Sequence, residues 1–289
     1  MVRPLRIEFP GALYHITSRG NAKQTIFHDD KDRRCFLDIL SAVVERHNWL
    51  CYSYCLMSNH FHLLIETPKA NLSKGMHQLN CVYAQKSNLR HEKAGHFLQG
   101  RYHAIIVDKE EYLLAVCRYI VLNPVRAGLV DDPALYRWSS YLDILRQRRA
   151  PKFLHTSYVL SLFAQPGRNA VDEYKAFVME GLGEELWSKL RGNMILGGND
   201  FALKIRPVTD TRRNCRGIAR RERFAGRPEL SEIFRDMDGK KDGRDRKIMT
   251  ASVEYGYTHQ EIAEYLGLHR TSISKIINSF TADNSHFGI

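Results

Sequence analysis

The first part of the chain alternates between two hydrophobic periodicities, one typical of strands and one typical of helices. Strands are predicted where aromatic and branched residues cluster between turn residues, at 13–19, 49–57, 59–66 and 102–107. Helices are predicted after the capping pair Asp29-Asp30 and from Asn71 to about His91, where apolar residues recur at helical spacing. The predicted order of elements is therefore β-α-β-β-α-β.

This order predicts the α+β fold class, in the ferredoxin-like split βαβ arrangement. Such a fold is a four-stranded antiparallel sheet with both helices on one face, which leaves the other face available to a ligand. Side chains alternate between the faces of a strand, so His60 and His62 share one face while Phe61 and Ile65 share the other. If Phe61 and Ile65 face the helices, the two histidines face the open side of the sheet.

A third helix is predicted from Glu110 to Asn123, ending where Pro124 removes a backbone donor. Tyr119 and Asn123 are one helical turn apart, so both side chains can point into the same small volume. Helical patterns without a chemical motif follow at residues 138–145, 156–164, 171–179 and 184–194. We interpret them as a helical connector that could close over the open face of the sheet.

The carboxyl-terminal residues have the pattern of a helix-turn-helix. Thr258 and Glu261 have capping-box spacing ahead of an apolar run, and Gly267 separates that run from a second helix. The exposed face of the second helix carries side chains that suit base edges and phosphates, namely Arg270, Thr271, Ser272 and Lys275. An ordinary helical hairpin is the alternative interpretation.

These patterns predict three segments. Residues 1–142 hold the sheet and the first three helices, residues 143–206 form the helical connector, and residues 207–289 hold a basic stretch and the helix-turn-helix. The basic stretch contains seven arginines between positions 212 and 227 and is either a flexible linker or a segment that tracks phosphates.

The charge balance favours a polyanionic partner. The chain has 289 residues, 43 Lys and Arg against 32 Asp and Glu, a formal net charge of +11 and a pI near 9.4. Nucleic acid is therefore favoured over an anionic membrane surface. No apolar run approaches the about 20 residues of a spanning helix and no signal-peptide core is present, so we expect a cytoplasmic protein. Six cysteines without a C-x-x-C pair predict neither a disulfide framework nor a zinc knuckle.

Two imidazoles side by side on one strand face are candidate metal ligands. The alternative is that His60 and His62 are structural, because a single His-x-His pair rarely holds a metal ion. Tyr119 and Asn123 would add a phenol and an amide, although a helical tyrosine on its own is usually a packing residue.

Four motifs, in this order, resemble those of the single-tyrosine transposases of the HUH endonuclease superfamily. The resemblance is to the IS200-like group and, within it, to the REP-associated tyrosine transposases, and it covers about residues 1–142. The motifs are YHITSRGN at 14–21, CLMSNHFHLLI at 55–65, FLQGRY at 97–102 and YIVLNPVRAG at 119–128.

The resemblance implies a metal-dependent enzyme that nicks DNA and transfers strands. It implies that His60 and His62 bind a divalent metal, that Asn123 is the third ligand, and that Tyr119 is the nucleophile. The implied cofactor is Mg²⁺ or Mn²⁺, although imidazole ligands suit Mn²⁺ or Zn²⁺ better than Mg²⁺. Attack by the tyrosine would leave a 5′-phosphotyrosine and a free 3′-hydroxyl.

The implied substrate is single-stranded or hairpin DNA, such as palindromic repeats. Within the family-like motifs we expect Arg19, Arg101 and Arg126 to contact DNA, and we expect the helix-turn-helix to add duplex binding. The resemblance leaves a monomer and a homodimer both open.

Two other function classes stay open at this point. One is a non-catalytic DNA-binding regulator descended from a transposase, and the other is a metal-dependent hydrolase that uses water instead of Tyr119. Tyr112 is the rival nucleophile, but it lacks an asparagine one turn downstream.

Overall fold

The computed structural model describes residues 6–183, 185–210, 219–235 and 241–284. They fall into two compact units, each with its own core. The first unit contains Leu5–Leu190 and Met194–Gly197, and the second contains Arg191–Asn193 and the described residues from Gly198 onward.

The first unit is built on a mixed sheet, and its leading elements follow the predicted order. They are β1 (Ala12–Arg19), α1 (Asp30–His47), β2 (Leu50–Leu56), β3 (His60–Thr67), α2 (Leu72–Arg90) and β4 (His103–Val107). These four strands lie in the order β2-β3-β1-β4, and each neighbouring pair is antiparallel. The Asp29 carboxylate caps α1 by accepting from the backbone of Lys31 and Asp32, as the sequence predicts.

The sheet has six strands, so the prediction of a four-stranded sheet is wrong. The predicted helix at 184–194 is also wrong, because a 3-10 turn (Leu186–Lys189) and β5 (Leu190–Arg191) occupy this stretch, with β6 (Ile195–Leu196) just after it. β6 pairs in parallel with β4, and Ile106 N donates to Met194 O at 2.7 Å. The backbone groups at the edge of β4 gain hydrogen-bond partners in this way. This pairing outweighs the local helical pattern.

One face of the sheet packs against α1 and α2, as the alternation of apolar residues predicts. Phe61 and Leu63 are fully buried there, and the ring of Phe61 lies 4.7 Å from that of Phe36 in α1. The ring of Tyr83 in α2 lies 5.1 Å from Phe36, so aromatic contacts join both helices to the sheet.

Further helices cover the apolar half of the other face, which the predicted arrangement of the first two helices leaves open. α3 (Lys109–Arg126) lies on that face with α4 (Tyr141–Ile144), α5 (Thr156–Ser161) and α6 (Ala170–Glu180). Leu13 and Leu64 of the sheet share one core cluster with Tyr174 and Leu186. Residues up to Leu196 therefore complete the core of the sheet.

α3 continues through Pro124 to Arg126, so the prediction that it ends at Pro124 is wrong. Pro124 has no backbone N–H, so the carbonyl of Ile120 lacks its usual helical hydrogen bond. The side-chain amide of Asn123 donates to Tyr119 O at 2.8 Å and to Ile120 O at 3.4 Å. These side-chain bonds compensate for the missing donor, and the helix passes the proline.

The second unit is helical. It contains α7 (Asn199–Asp210), α8 (Arg220–Arg223), α9 (Leu230–Ile233), α10 (Lys241–Met249), a π-helical turn (Thr250–Glu254), α11 (His259–Leu266) and α12 (Arg270–Asn284). The predicted capping box of Thr258 and Glu261 is present, and Gly267 ends α11 at a φ of 65°. Ile248, Ile262 and Ile273 are buried in its core.

Two arginines of the predicted basic stretch have structural partners. Arg220 and Arg227 both donate to Gly256 O, and Arg227 also binds the Glu261 carboxylate at 2.7 Å. Arg212, Arg213 and Arg216 lie outside the described residues. In the part of the chain that the structure describes, no helix is both long enough and apolar enough to cross a membrane. Five of the six cysteines are described and are free thiols, and Cys215 lies outside the described residues.

A substitution at Gly75 tests the packing between α2 and the β2 end of the sheet. A Cβ at this position would meet the ring of Trp49, so we expect Gly75→Ala to lower the stability of the first unit. Overpacking costs about 1–3 kcal/mol, which exceeds the about 0.5–1 kcal/mol that alanine gains over glycine in a helix. The free energy of unfolding can be measured by urea denaturation monitored by tryptophan fluorescence, because all three tryptophans lie in this unit.

Gly183→Ala is the matched control, since a Cβ there meets nothing within 4 Å. A Gly75→Ala variant as stable as the Gly183→Ala variant would contradict the packing.

Candidate active site

A cleft of about 620 Å³ opens at the polar end of the sheet, on the face that carries α3. The opposite end of the same face is apolar and is covered by the core cluster of α3. The described residues that line the cleft include no carboxylate, and they are His15, Thr17, Ser18, Arg19, His60, His62, Gln99, Arg101, His103, Ile105, Tyr119, Asn123, Trp187 and Leu190. The cleft is therefore basic at its mouth and rich in imidazole.

The pairing of β1 with β3 places polar side chains together on the cleft side. Arg19 lies opposite His60 in the antiparallel register, and Thr17 lies opposite His62. His15, two residues before Thr17 in β1, lies diagonally across from His62. The period of two along each strand thus brings these side chains to one face.

The two predicted metal ligands both lie in the cleft but differ in exposure. His62 is buried at 5% exposure, whereas His60 is half-buried nearer the mouth, and their ring centroids are 4.9 Å apart. Nδ1 of His62 lies 3.0 Å from Nε2 of the buried His15, in a hydrogen bond. Nδ1 of His60 lies 2.7 Å from Oδ1 of Asn59.

Burial keeps these imidazoles neutral. It lowers the pKa of His60 to about 4, with the Arg19 charge as a second cause. It lowers the pKa of His15 to about 3, assisted by His103, and it holds the pKa of His62 well below its usual value. Neutral imidazole is the form that binds a metal ion, so the ligand form is present at neutral pH.

α3 brings the predicted nucleophile and the predicted third ligand to the cleft. The ring centroid of Tyr119 lies 6.0 Å from that of His62 and 5.8 Å from that of His15. Asn123 lines the cleft one turn later, and because its Nδ2 donates to the helix backbone, Oδ1 is the amide atom left for a ligand. The rival, Tyr112, is buried and does not line the cleft.

The predicted DNA-binding residues are distributed over both units. Arg19 and Arg101 are exposed and line the cleft. Arg126 does not line it, and its guanidinium lies 5.0 Å from the ring centroid of Tyr119 while Nη2 donates to Gly181 O at 2.9 Å. The remaining predicted residues are on α12, where Arg270, Thr271 and Lys275 are exposed and Ser272 is half-buried.

Eight of the 14 described lining residues were not predicted as site residues, and four of these carry an imidazole, an amide or an indole. They are His15, Gln99, His103 and Trp187. The ring of Trp187 stacks on His15 at 5.0 Å and meets Tyr119 edge-on at 4.8 Å. The alternation in β1 and β4 was an available signal for His15 and His103, and the FLQGRY motif was one for Gln99, whereas Trp187 offered none.

The residues present fit a divalent metal. In the described ranges no three His, Cys, Asp or Glu side chains form a metal-binding group, so the histidine pair needs a ligand of another type, and Asn123 is available. Nε2 of His62 is buried in the cleft without a hydrogen-bond partner, so it can bind a metal ion in the tautomer that carries its proton on Nδ1. Two imidazoles and one amide oxygen form a mixed nitrogen and oxygen set that suits Mn²⁺ or Zn²⁺ better than Mg²⁺.

Comparison with known proteins gives a family and one structure. No curated protein matches the chain significantly. A solved structure described as a REP-associated tyrosine transposase bound to a REP hairpin matches at a TM-score of 0.45 and 14% identity, over 52% of this chain and 89% of that one. The family model described as "Transposase IS200 like" matches residues 9–123, a range that includes His60, His62, Tyr119 and Asn123. Residues 9–123 of the chain are therefore similar to the IS200-like transposases.

Proposed function

We propose that the protein is a metal-dependent endonuclease and strand transferase for single-stranded DNA, with Tyr119 as its nucleophile. The observation that carries the proposal is the meeting of Tyr119 with His60, His62 and Asn123 in one cleft, whose described lining residues include no carboxylate. The similarity of residues 9–123 to a transposase family supports DNA as the substrate.

The reaction needs no nucleotide cofactor. The phenol oxygen of Tyr119 attacks phosphorus and forms a 5′-phosphotyrosine, while the bond to the 3′ oxygen breaks and that oxygen leaves as a hydroxyl after taking up a proton. A bound metal supplies Lewis acidity to the phosphate oxygens. The phosphodiester energy is kept in the covalent bond, so a 3′-hydroxyl can later attack phosphorus and release Tyr119.

The cleft suits a single strand of DNA. Arg19 and Arg101 can bind phosphates at its mouth, and the partly exposed ring of Trp187 is a candidate for base stacking. Hairpin or palindromic DNA is the proposed substrate because it offers unpaired bases beside a duplex.

The second unit is proposed to bind duplex DNA through a helix-turn-helix. α11 and α12 are joined by the turn at Gly267, and α12 presents Arg270, Thr271 and Lys275 to solvent, with Ser272 half-buried beside them. Such binding would serve the choice of target or the control of the protein's own expression.

The alternative function is a non-catalytic DNA-binding regulator descended from a transposase. It predicts the same DNA binding without cleavage. A hydrolase that uses water would cleave DNA without a covalent intermediate.

Tyr119→Phe separates these functions. With labelled hairpin DNA and Mn²⁺, we expect the wild type to give an adduct that survives denaturation and Tyr119→Phe to give none, while DNA affinity changes little. Tyr112→Phe is the matched control and should keep the adduct, because Tyr112 is outside the cleft. Cleavage that persists in Tyr119→Phe would indicate the hydrolase, and binding without cleavage by the wild type would indicate the regulator.

Removal of the third ligand should weaken metal binding. Asn123→Leu keeps the side-chain size but loses the amide oxygen, so we expect at least a tenfold lower affinity for Mn²⁺ in an electron paramagnetic resonance titration. Unchanged Mn²⁺ affinity would exclude Asn123 as a ligand. Because the amide also supports the helix at Pro124, the thermal midpoint of Asn123→Leu must be measured alongside.

The duplex-binding surface has its own test. We expect the double variant Arg270→Ala and Lys275→Ala to weaken duplex binding. The slope of the logarithm of the binding constant against the logarithm of the salt concentration should fall in magnitude by about one for each lost phosphate contact. Adduct formation on single-stranded DNA should not change. The matched control is Arg246→Ala, which removes an exposed charge from α10 of the same unit. Equal effects of the control and the α12 variants would argue for non-specific attraction.

A further inference from the structure

The hydrogen bonds behind the two cleft histidines contain information about their tautomers. A neutral imidazole has one N–H and one lone pair, and the partner of one nitrogen decides which form is present. A histidine can bind a metal through Nε2 only when its proton is on Nδ1. The partners of Nδ1 therefore decide whether Nε2 is available as a ligand.

The partner of His60 is Asn59, whose amide has a defined orientation. Nδ2 of Asn59 donates to the backbone carbonyl of Lys23 at 3.2 Å, so Oδ1 is the atom that faces Nδ1 of His60 at 2.7 Å. An amide oxygen can only accept. His60 therefore carries its proton on Nδ1, and its Nε2 has the lone pair.

The partner of His62 is His15, and here two arrangements are possible. Either His62 donates from Nδ1 to Nε2 of His15, or His15 donates in the opposite direction. In the second arrangement Nε2 of His62 would be a buried donor with no partner. In the first it is a buried lone pair, which a metal ion would satisfy, and Nδ1 of His15 is then the buried donor with no partner. Each arrangement leaves one buried N–H without a partner, and only the first offers Nε2 of His62 to a metal ion.

We propose that Asn59 and His15 are positioning residues that hold His60 and His62 as Nδ1–H tautomers, so that the Nε2 lone pairs of both are available to one divalent metal. The inference rests on the proposed metal-dependent function. His15 is fixed in turn by stacking on Trp187 at 5.0 Å, with an angle of 19° between the rings. Both partners are uncharged when they accept, so they orient the ligands without adding negative charge near a DNA phosphate.

Asn59 and His15 lie in different elements, which makes the two effects separable. Asn59 precedes β3 in the turn and is half-buried, whereas His15 is inside β1 and is 3% exposed. Asn59→Ala should therefore leave the fold intact. His15→Phe keeps a flat ring against Trp187 but removes the acceptor.

The tautomers can be measured without metal or activity. In metal-free full-length protein with ¹⁵N-labelled histidine at pH 7, long-range ¹H–¹⁵N correlations should show both His60 and His62 protonated on Nδ1. His60→Gln and His62→Gln identify their signals among the 13 histidines. Asn59→Ala should release the tautomer of His60 alone, and His15→Phe that of His62 alone. A wild-type His62 with its proton on Nε2 would overturn the proposal.

Metal affinity is the second readout. We expect Asn59→Ala and His15→Phe each to lower Mn²⁺ affinity by about 10–100-fold. Variants that retain an acceptor, Asn59→Asp and His15→Gln, should stay within a few-fold of the wild type, and binding of hairpin DNA in a chelator should not change. Wild-type affinity in both acceptor-free variants would overturn the positioning role while leaving the metal site in place.

Failure of the proposed function gives a different result. A wild type that binds no Mn²⁺ would exclude the metal-dependent reaction and the role of these residues in metal binding, whatever their tautomers. If His15→Phe does not fold, the wild-type spectrum still decides the tautomer of His62, and Asn59→Ala still decides the effect on His60.

Discussion

The register between β1 and β3 is the constraint on which the rest of the site depends. With Arg19 opposite His60 and Thr17 opposite His62, cationic and imidazole side chains gather at one end of a face whose other end is apolar. A slip by one residue would move every one of these side chains to the face that α1 and α2 cover. The buried aromatic contacts of Phe61 with Phe36 oppose such a slip, so the apolar face of β3 secures the chemistry on its polar face.

The cleft combines two electrostatic environments within one site. His15 and His62 at its floor are buried and their pKa values are lowered, whereas its mouth carries the exposed Arg19 and Arg101. A polyanion can therefore be attracted by charges at the mouth, while the imidazoles at the floor stay neutral, which is the form that can bind a metal ion. The absence of carboxylates among the described lining residues keeps repulsion of phosphate low.

Much of the fold could be predicted from local periodicity, because β1 to β4 and α1 to α3 each carry their own pattern. The errors have non-local causes. Leu186, Leu190 and Met194 have helical spacing, yet this stretch instead enters the sheet beside β4, whose edge was not visible in the sequence. Pro124 is an ordinary helix stop, and only the side-chain bonds of Asn123 allow α3 to pass it.

The candidate site divides in the same way. His60, His62, Tyr119 and Asn123 follow from motifs and spacing, and the structure brings all four to one cleft. His15 was recognised as part of a motif but not as a contact of His62, since that contact depends on strand register. Trp187 comes from a segment about 70 residues beyond Tyr119 without any chemical signature, and no local pattern links the two.

The side-chain bonds of Asn123 have a mechanical consequence for α3. They tie the amide to the same turn of helix that carries Tyr119, so the two residues, about 6 Å apart along the helix axis, are held in a fixed relation to each other. A displacement of α3 against the sheet would withdraw both from the histidines together. Tyr119 and Asn123 would therefore change position as a pair, relative to the histidines on the strands.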